Sequence, residues 1–164
     1  MLYYGAAAQV YKEFDTANLA TDGVENLFTA DETEIENADF TLVNAELAEG
    51  ETYGAWFAGA GVHFSNVNKI YVKLSTTENV KLVINNVEVE VTGTVVYTDA
   101  IKATGFAETY VFELYYGEEL MQTLTYSVNA YAYAMQDKDT NMGRLALALY
   151  YYGASATAYM NMNA

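Results

Sequence analysis

The loop Asp137-Lys138-Asp139-Thr140-Asn141 offers oxygen donors at the first three ligand positions of a calcium loop. The match then stops. Met142 stands where such a loop needs Gly for its sharp turn, and Ala148 stands where it needs a bidentate Glu. The segment is therefore read as a polar loop in which Thr140 or Asn141 caps a following helix, and no metal or other cofactor is expected. His63 is the one histidine and there is no cysteine. Zinc needs several Cys or His ligands, which excludes a zinc centre built from these side chains. A lone His acts in catalysis only beside a positioned nucleophile or carboxylate. Between Val62 and Phe64, His63 reads as a structural residue on a strand face. Carboxylates are so numerous that pairs at glycosidase spacing carry no information. The chain is read as not being an enzyme.

Binding is the chemistry that remains. Tyrosine occurs 16 times and tryptophan once. An aromatic ring lying free on a sheet can stack on a sugar ring, and Trp56 with Tyr53 and Phe57 is the cluster to weigh for it. The alternation of the surrounding strand instead places Trp56 in the interior, where its truncation would cost about 3–5 kcal/mol. An exposed Trp56 beside a second aromatic would reverse that expectation.

These side chains sit in a chain of 164 residues with a formal charge of −15 and 52% hydrophobic residues. A chain of that length buries roughly 70% of its unfolded surface, enough for a core without a metal or disulfide. Its apolar content excludes a disordered segment despite the charge. No Lys or Arg occurs between Lys12 and Lys69, while carboxylates from Asp22 to Glu51 crowd that interval. Such a surface repels phosphate, so nucleic acid is not an expected partner; its simplest role is solubility. Residues Leu145 to Met160 are apolar but fall short of the roughly 20 residues a membrane helix needs. They also include Tyr150, Tyr151, Tyr152 and Tyr159. They read as a buried helix, with no membrane insertion. The start, MLYYGAAAQVYKEF, lacks the basic region and apolar run of a secretory signal.

Periodicity places the elements. Tyr3, Ala7, Val10 and Phe14 share a helical face. Strands follow at Phe40–Val43, Tyr53–Phe64 with a bulge, Lys69–Ser75, Val80–Ile84, Val87–Val91, Thr94–Tyr97, Thr109–Tyr116 and Leu120–Tyr126. Asn85-Asn86 is read as a two-residue hairpin turn, since Asn tolerates positive φ. Ser127 caps a helix through Gln136, and a last helix runs from Met142 to about Met160 with Leu145, Leu149, Tyr152, Ala156 and Tyr159 on one stripe. The fold class is α+β: an antiparallel sheet or sandwich core flanked by N-terminal and C-terminal helices. Residues 1–28 form a helical segment and 29–164 a β-rich domain with C-terminal helices.

One feature spans this whole plan. The opening YYGAAAQVY, Tyr3 to Tyr11, returns at the end as YYGASATAY, Tyr151 to Tyr159. This suggests a repeating module, with residues 1–28 equivalent to the end of a preceding copy. LYYGAAAQVYKEF followed by DTANLATDGV, and TYSVNAYAYAMQDKDTNMGRLALALYYYGASATAYM, resemble segments of repeat modules in large secreted or cell-wall-attached proteins of gut Firmicutes. The KLVINNVEVEV hairpin resembles them more loosely. The resemblance implies an extracellular or cell-surface location and a non-catalytic role in display, spacing or adhesion, with neighbouring domains of the same polypeptide as partners. No site residues come with it. The alternative expectation is a carbohydrate-binding module that targets a polysaccharide-degrading enzyme, with polysaccharide as partner and Trp56, Tyr53 and Phe57 as ligand-binding residues.

Overall fold

The computed structural model describes residues 38, 40–65, 67–136 and 140–162. The Tyr3–Phe14 helix and the loop residues Asp137 and Asp139 lie outside the described residues.

Among the described residues, eight strands form two antiparallel sheets. They are β1 (Thr41–Asn44), β2 (Phe57–Phe64), β3 (Asn68–Leu74), β4 (Val80–Ile84), β5 (Val87–Val89), β6 (Val95–Tyr97), β7 (Tyr110–Tyr116) and β8 (Glu119–Tyr126). A five-stranded sheet has the order β1-β8-β7-β4-β5, and a three-stranded sheet has the order β2-β3-β6. The described residues after β8 form the helices α1 (Val128–Met135) and α2 (Asn141–Met162). The α+β class and the antiparallel sheet core expected from the sequence are both present.

Alternation builds the core. Side chains of successive strand residues point to opposite faces, so every second residue can be buried. In the large sheet Leu82 pairs with Leu114, Ile84 with Phe112, and Phe112 with Leu124. All five are buried. In the small sheet Ile70, Val72 and Leu74 of β3 are buried along with Val62 and Val96. The two apolar faces make a sandwich-like unit, comprising Asp39–Lys102 and Glu108–Ser127. A polar clasp joins β2 to β8: the Phe57 amide donates to Gln122 Oε1 at 2.6 Å, and Gln122 Nε2 donates to Asn44 Oδ1 at 2.6 Å. Gln122 is buried, and these bonds offset the cost of taking its amide out of water.

The hairpin turns use asparagine as the sequence suggests. Asn85 and Asn86 have φ of 49° and 66°, the two positive angles of a type I′ turn. Asn85 also exchanges bonds with Val111, its amide donating to the Val111 carbonyl at 2.9 Å and its Oδ1 accepting from the Val111 amide at 2.8 Å.

The helices form a second compact unit with residues Ala103–Ala107. Thr140 rather than Asn141 caps α2, its Oγ1 accepting from the Gly143 amide at 2.9 Å. Phe106, directly after a 3₁₀ turn at Ala103–Gly105, is almost fully buried, and its carbonyl accepts from the Asn129 amide at the start of α1. A Cβ on Gly153 would lie 2.8 Å from the Phe106 ring, so the glycine of the closing YYG motif is a seat for that side chain. The expected stripe on α2 is only half present. Leu145 to Leu149 are buried on every side, whereas Tyr159 is 68% exposed.

Candidate functional site

The outer face of the small sheet carries the best-defined constellation of polar and aromatic side chains. Its geometry begins with β3, where burying Ile70, Val72 and Leu74 forces Lys69, Tyr71 and Lys73 onto the opposite side. Strand β6 contributes Val95 and Tyr97 to the same side, since Val96 is buried. Pairing aligns Tyr97 with Tyr71 and Val95 with Lys73.

Strand β2 reaches this face through an irregularity. Phe57 pairs with Leu74, but Gly59 already pairs with Lys73, so Ala58 is an extra residue. The bulge inverts the alternation. Before it the even-numbered Trp56 faces outward, between buried Ala55 and Phe57; after it the odd-numbered Gly59, Gly61 and His63 do. An unbroken strand would put Trp56 on the side of buried Val62. The bulge thus sets Trp56 and His63 on one face.

The resulting surface has two aromatic ends and an open floor. At one end Tyr71 lies across Gly61, where an added Cβ would meet the ring's hydroxyl at 2.8 Å. Tyr97, 46% exposed, is tilted against Tyr71 with ring centroids 6.1 Å apart, and His63 meets Tyr97 edge-on at 5.4 Å. At the other end is Trp56, 49% exposed. Its amide donates to Ser75 Oγ and its carbonyl accepts from the Ser75 amide, both at 3.0 Å. Ser75 and Tyr71 are four residues apart on one extended segment, a separation of about 13 Å. Between them runs the row Gly59–Lys73–Val95, and nothing lies within 4 Å of where a Gly59 Cβ would be.

This arrangement corrects two expectations. Trp56 is not interior: the residues that fill the core here are Ala55 and Phe57. The proposed trio of Trp56, Tyr53 and Phe57 is not brought together as a platform. Phe57 is only 9% exposed and belongs to the core, and Tyr53 is half-buried with its hydroxyl donating to the Ala45 carbonyl at 2.7 Å. Of the three, Trp56 alone presents its ring to solvent. Tyr71 and Tyr97, the aromatic residues that accompany it, are not distinguished by sequence from the other tyrosines. The alternation Lys69-Ile70-Tyr71-Val72-Lys73 does mark Tyr71 as outward, but the pairing that sets Tyr97 beside it has no local sequence signal. His63 is the strand-face histidine expected, and it is exposed.

The chemistry open to this face is stacking and cation pairing. The aromatic face is a weakly negative surface that attracts polarised C–H groups, and covering it removes apolar area from water. Lys69 and Lys73 supply positive charge beside the rings. Among the described residues no three Asp, Glu, His or Cys side chains are grouped to hold a metal ion, and no helix is long and apolar enough to cross a membrane. Comparison of the chain with protein-family models, with curated proteins and with solved structures yields no match.

Proposed function

We propose that this chain is a non-catalytic module of a secreted or surface protein, and that the outer face of its small sheet binds a carbohydrate polymer. The observation that carries this reading is the exposure of Trp56 on the same face as the Tyr71–Tyr97–His63 cluster. A shallow strip with aromatic rings at both ends suits a chain laid along it, because such sites are largely formed before the ligand arrives. The scaffold is rigid where it counts. Tyr71 rests on Gly61, and both neighbouring strands are hydrogen-bonded to β3.

A second reading, a module that spaces or displays neighbouring domains, is favoured by the near-repeat of Tyr3–Tyr11 in Tyr151–Tyr159. The two readings coexist in one polypeptide if copies are strung together and each offers a binding face.

Affinity electrophoresis through gels containing soluble neutral and acidic plant polysaccharides tests the proposal. The protein is expected to be retarded in at least one gel, and Tyr97→Ala to migrate freely there while keeping its melting temperature to within a few degrees. Free migration of the unaltered protein in every gel would reject carbohydrate binding and leave the spacer reading.

A further inference from the structure

We infer that the ligand of this face is an anionic polysaccharide, one whose sugar units carry carboxylates. The inference rests on the carbohydrate reading above and adds the charge of the ligand. It comes from how the few cations of the chain are placed. The sequence has seven Lys and Arg against 22 Asp and Glu. Strands β2, β3 and β6 nevertheless contain no carboxylate at all, while holding Lys69, Lys73 and His63. The strands of the large sheet, by contrast, include Glu88, Glu113 and Glu119. The strands of the small sheet thus carry cations and no carboxylate on an acidic protein, with Asp99 just beyond the end of β6.

The two lysines are also unspent. Lys81 of the large sheet places its ammonium over the Tyr115 ring, 4.3 Å from the centroid. Among the described residues Lys69 and Lys73 form neither an ion pair nor a cation–π contact. The carboxylate that follows β6, Asp99, is exposed and continues the β3–β6 register to the position opposite Lys69, where it forms no ion pair among the described residues; it adds to the field on Tyr110. Lys73 stands in the open row with Gly59 and Val95, and Lys69 stands opposite His63. Both flank Tyr71 on the same side of β3, two residues away in each direction. A sugar ring stacked at Tyr71 and Tyr97 would therefore have an ammonium group before it and another behind it. A carboxylate on neighbouring sugars meets these groups directly.

The net charge of the protein does not oppose this. At physiological ionic strength charges are screened beyond about 8 Å, so a ligand on the face responds mainly to the groups it touches. The acidic remainder of the surface adds discrimination, since a polyanion is repelled wherever it is not on the lysine strip.

Polygalacturonate and the same polymer with its carboxylates methyl-esterified separate charge from sugar. Binding is measured by calorimetry with the full chain, with Lys69→Gln/Lys73→Gln, and with Tyr97→Ala. The unaltered protein is expected to prefer the free acid by about three- to tenfold, the range for two exposed charge pairs. The double lysine variant should bind both forms alike, and Tyr97→Ala should bind neither. Equal binding of the two polymers by the unaltered protein, or tighter binding of the ester, overturns the anionic assignment and leaves carbohydrate binding standing. A preference that survives in the double lysine variant also overturns it. Binding of neither polymer, together with free migration in the neutral gels, removes the carbohydrate reading itself.

Discussion

The two sheets share one construction rule and end with opposite outer faces. On the large sheet the outward row Val43–Thr123–Glu113–Val83–Glu88 mixes β-branched and acidic residues, and the adjacent Lys81 is held on Tyr115. On the small sheet the outward positions include Trp56, His63, Lys69, Tyr71, Lys73, Val95 and Tyr97, with Gly59 and Gly61 between them. There the row Gly59–Lys73–Val95 is open at Gly59, and Trp56, His63, Lys73 and Tyr97 are exposed. The comparison teaches that an outward strand position says nothing about function until its neighbours across the sheet are known. A tyrosine beside a lysine closes a contact, whereas a tyrosine across a glycine opens a surface.

The largest contrast is between buried and exposed aromatics. Phe112→Ala is expected to cost about 3–5 kcal/mol in urea unfolding, as truncations of fully buried Phe do. Trp56→Ala should cost less than about 1 kcal/mol, because the indole is half in solvent. Its fluorescence should be quenched readily by iodide. Equal destabilisation by the two substitutions would show that Trp56 packs inside and would remove one end of the strip.

Next in size is the turn that orders the large sheet. Asn85→Ala loses the bond to the Val111 amide and forces a β-carbon residue without that compensation to hold positive φ. A loss of about 1–2 kcal/mol is expected, measured as a shift in the urea midpoint at constant slope, with no change in ligand binding. Gly61→Ala should act the other way round. The new Cβ meets only the far end of the Tyr71 ring, so stability changes by less than about 1 kcal/mol while the ring is lifted and binding falls. Unchanged affinity in Gly61→Ala would mean that the lie of Tyr71 is irrelevant to the ligand.

The lysines sharpen the comparison further. Lys81→Gln removes a cation–π contact and should cost about 0.5–1 kcal/mol. Lys73→Gln removes no contact within the described residues and should leave the melting temperature unchanged. A matching loss in both would show that Lys73 is engaged in the folded chain.

The smallest effect concerns Tyr110 of β7. Burial, with the charges of Glu108 and Asp99 adding to it, pushes its hydroxyl above the ordinary value of 10.0. The neutral phenol is favoured in the folded state. Its contribution to stability is therefore present below about pH 10 and lost as pH rises through the folded-state value. Tyr110→Phe should flatten the alkaline end of the stability curve slightly, and ring carbon resonances should show Tyr110 ionising after an exposed tyrosine. Ionisation at or below the ordinary value would contradict the burial of this ring end.

Much of the fold was legible because its signals are local. Alternation marked the strands, including the bulge in the segment before Phe64. Asn85-Asn86 marked a turn because few other residues adopt two successive positive φ angles. Thr140 or Asn141 was the expected cap of α2, and a hydroxyl reaching the Gly143 amide selects Thr140. The candidate site was less legible. Trp56 stands out in the sequence as the one indole, but its direction depends on which residue the bulge leaves unpaired. Tyr97 lies 26 residues after Tyr71, and only the β3–β6 pairing sets them side by side.

The sequence by itself determined the strands and helices of the described residues, the acidity of the chain and the scarcity of cations. These follow from periodicity and composition, which act over a few residues or over the whole chain without reference to pairing. The tertiary structure decided the strand order, in which β1 finds β8 and β6 finds β3, and with it the gathering of Trp56, Tyr71, Tyr97, Lys69 and Lys73 on one face. It also decided that Phe57 enters the core while Trp56 leaves it. The physical reason is that strand pairing joins residues far apart in the chain, and one extra residue at Ala58 inverts every side chain that follows it.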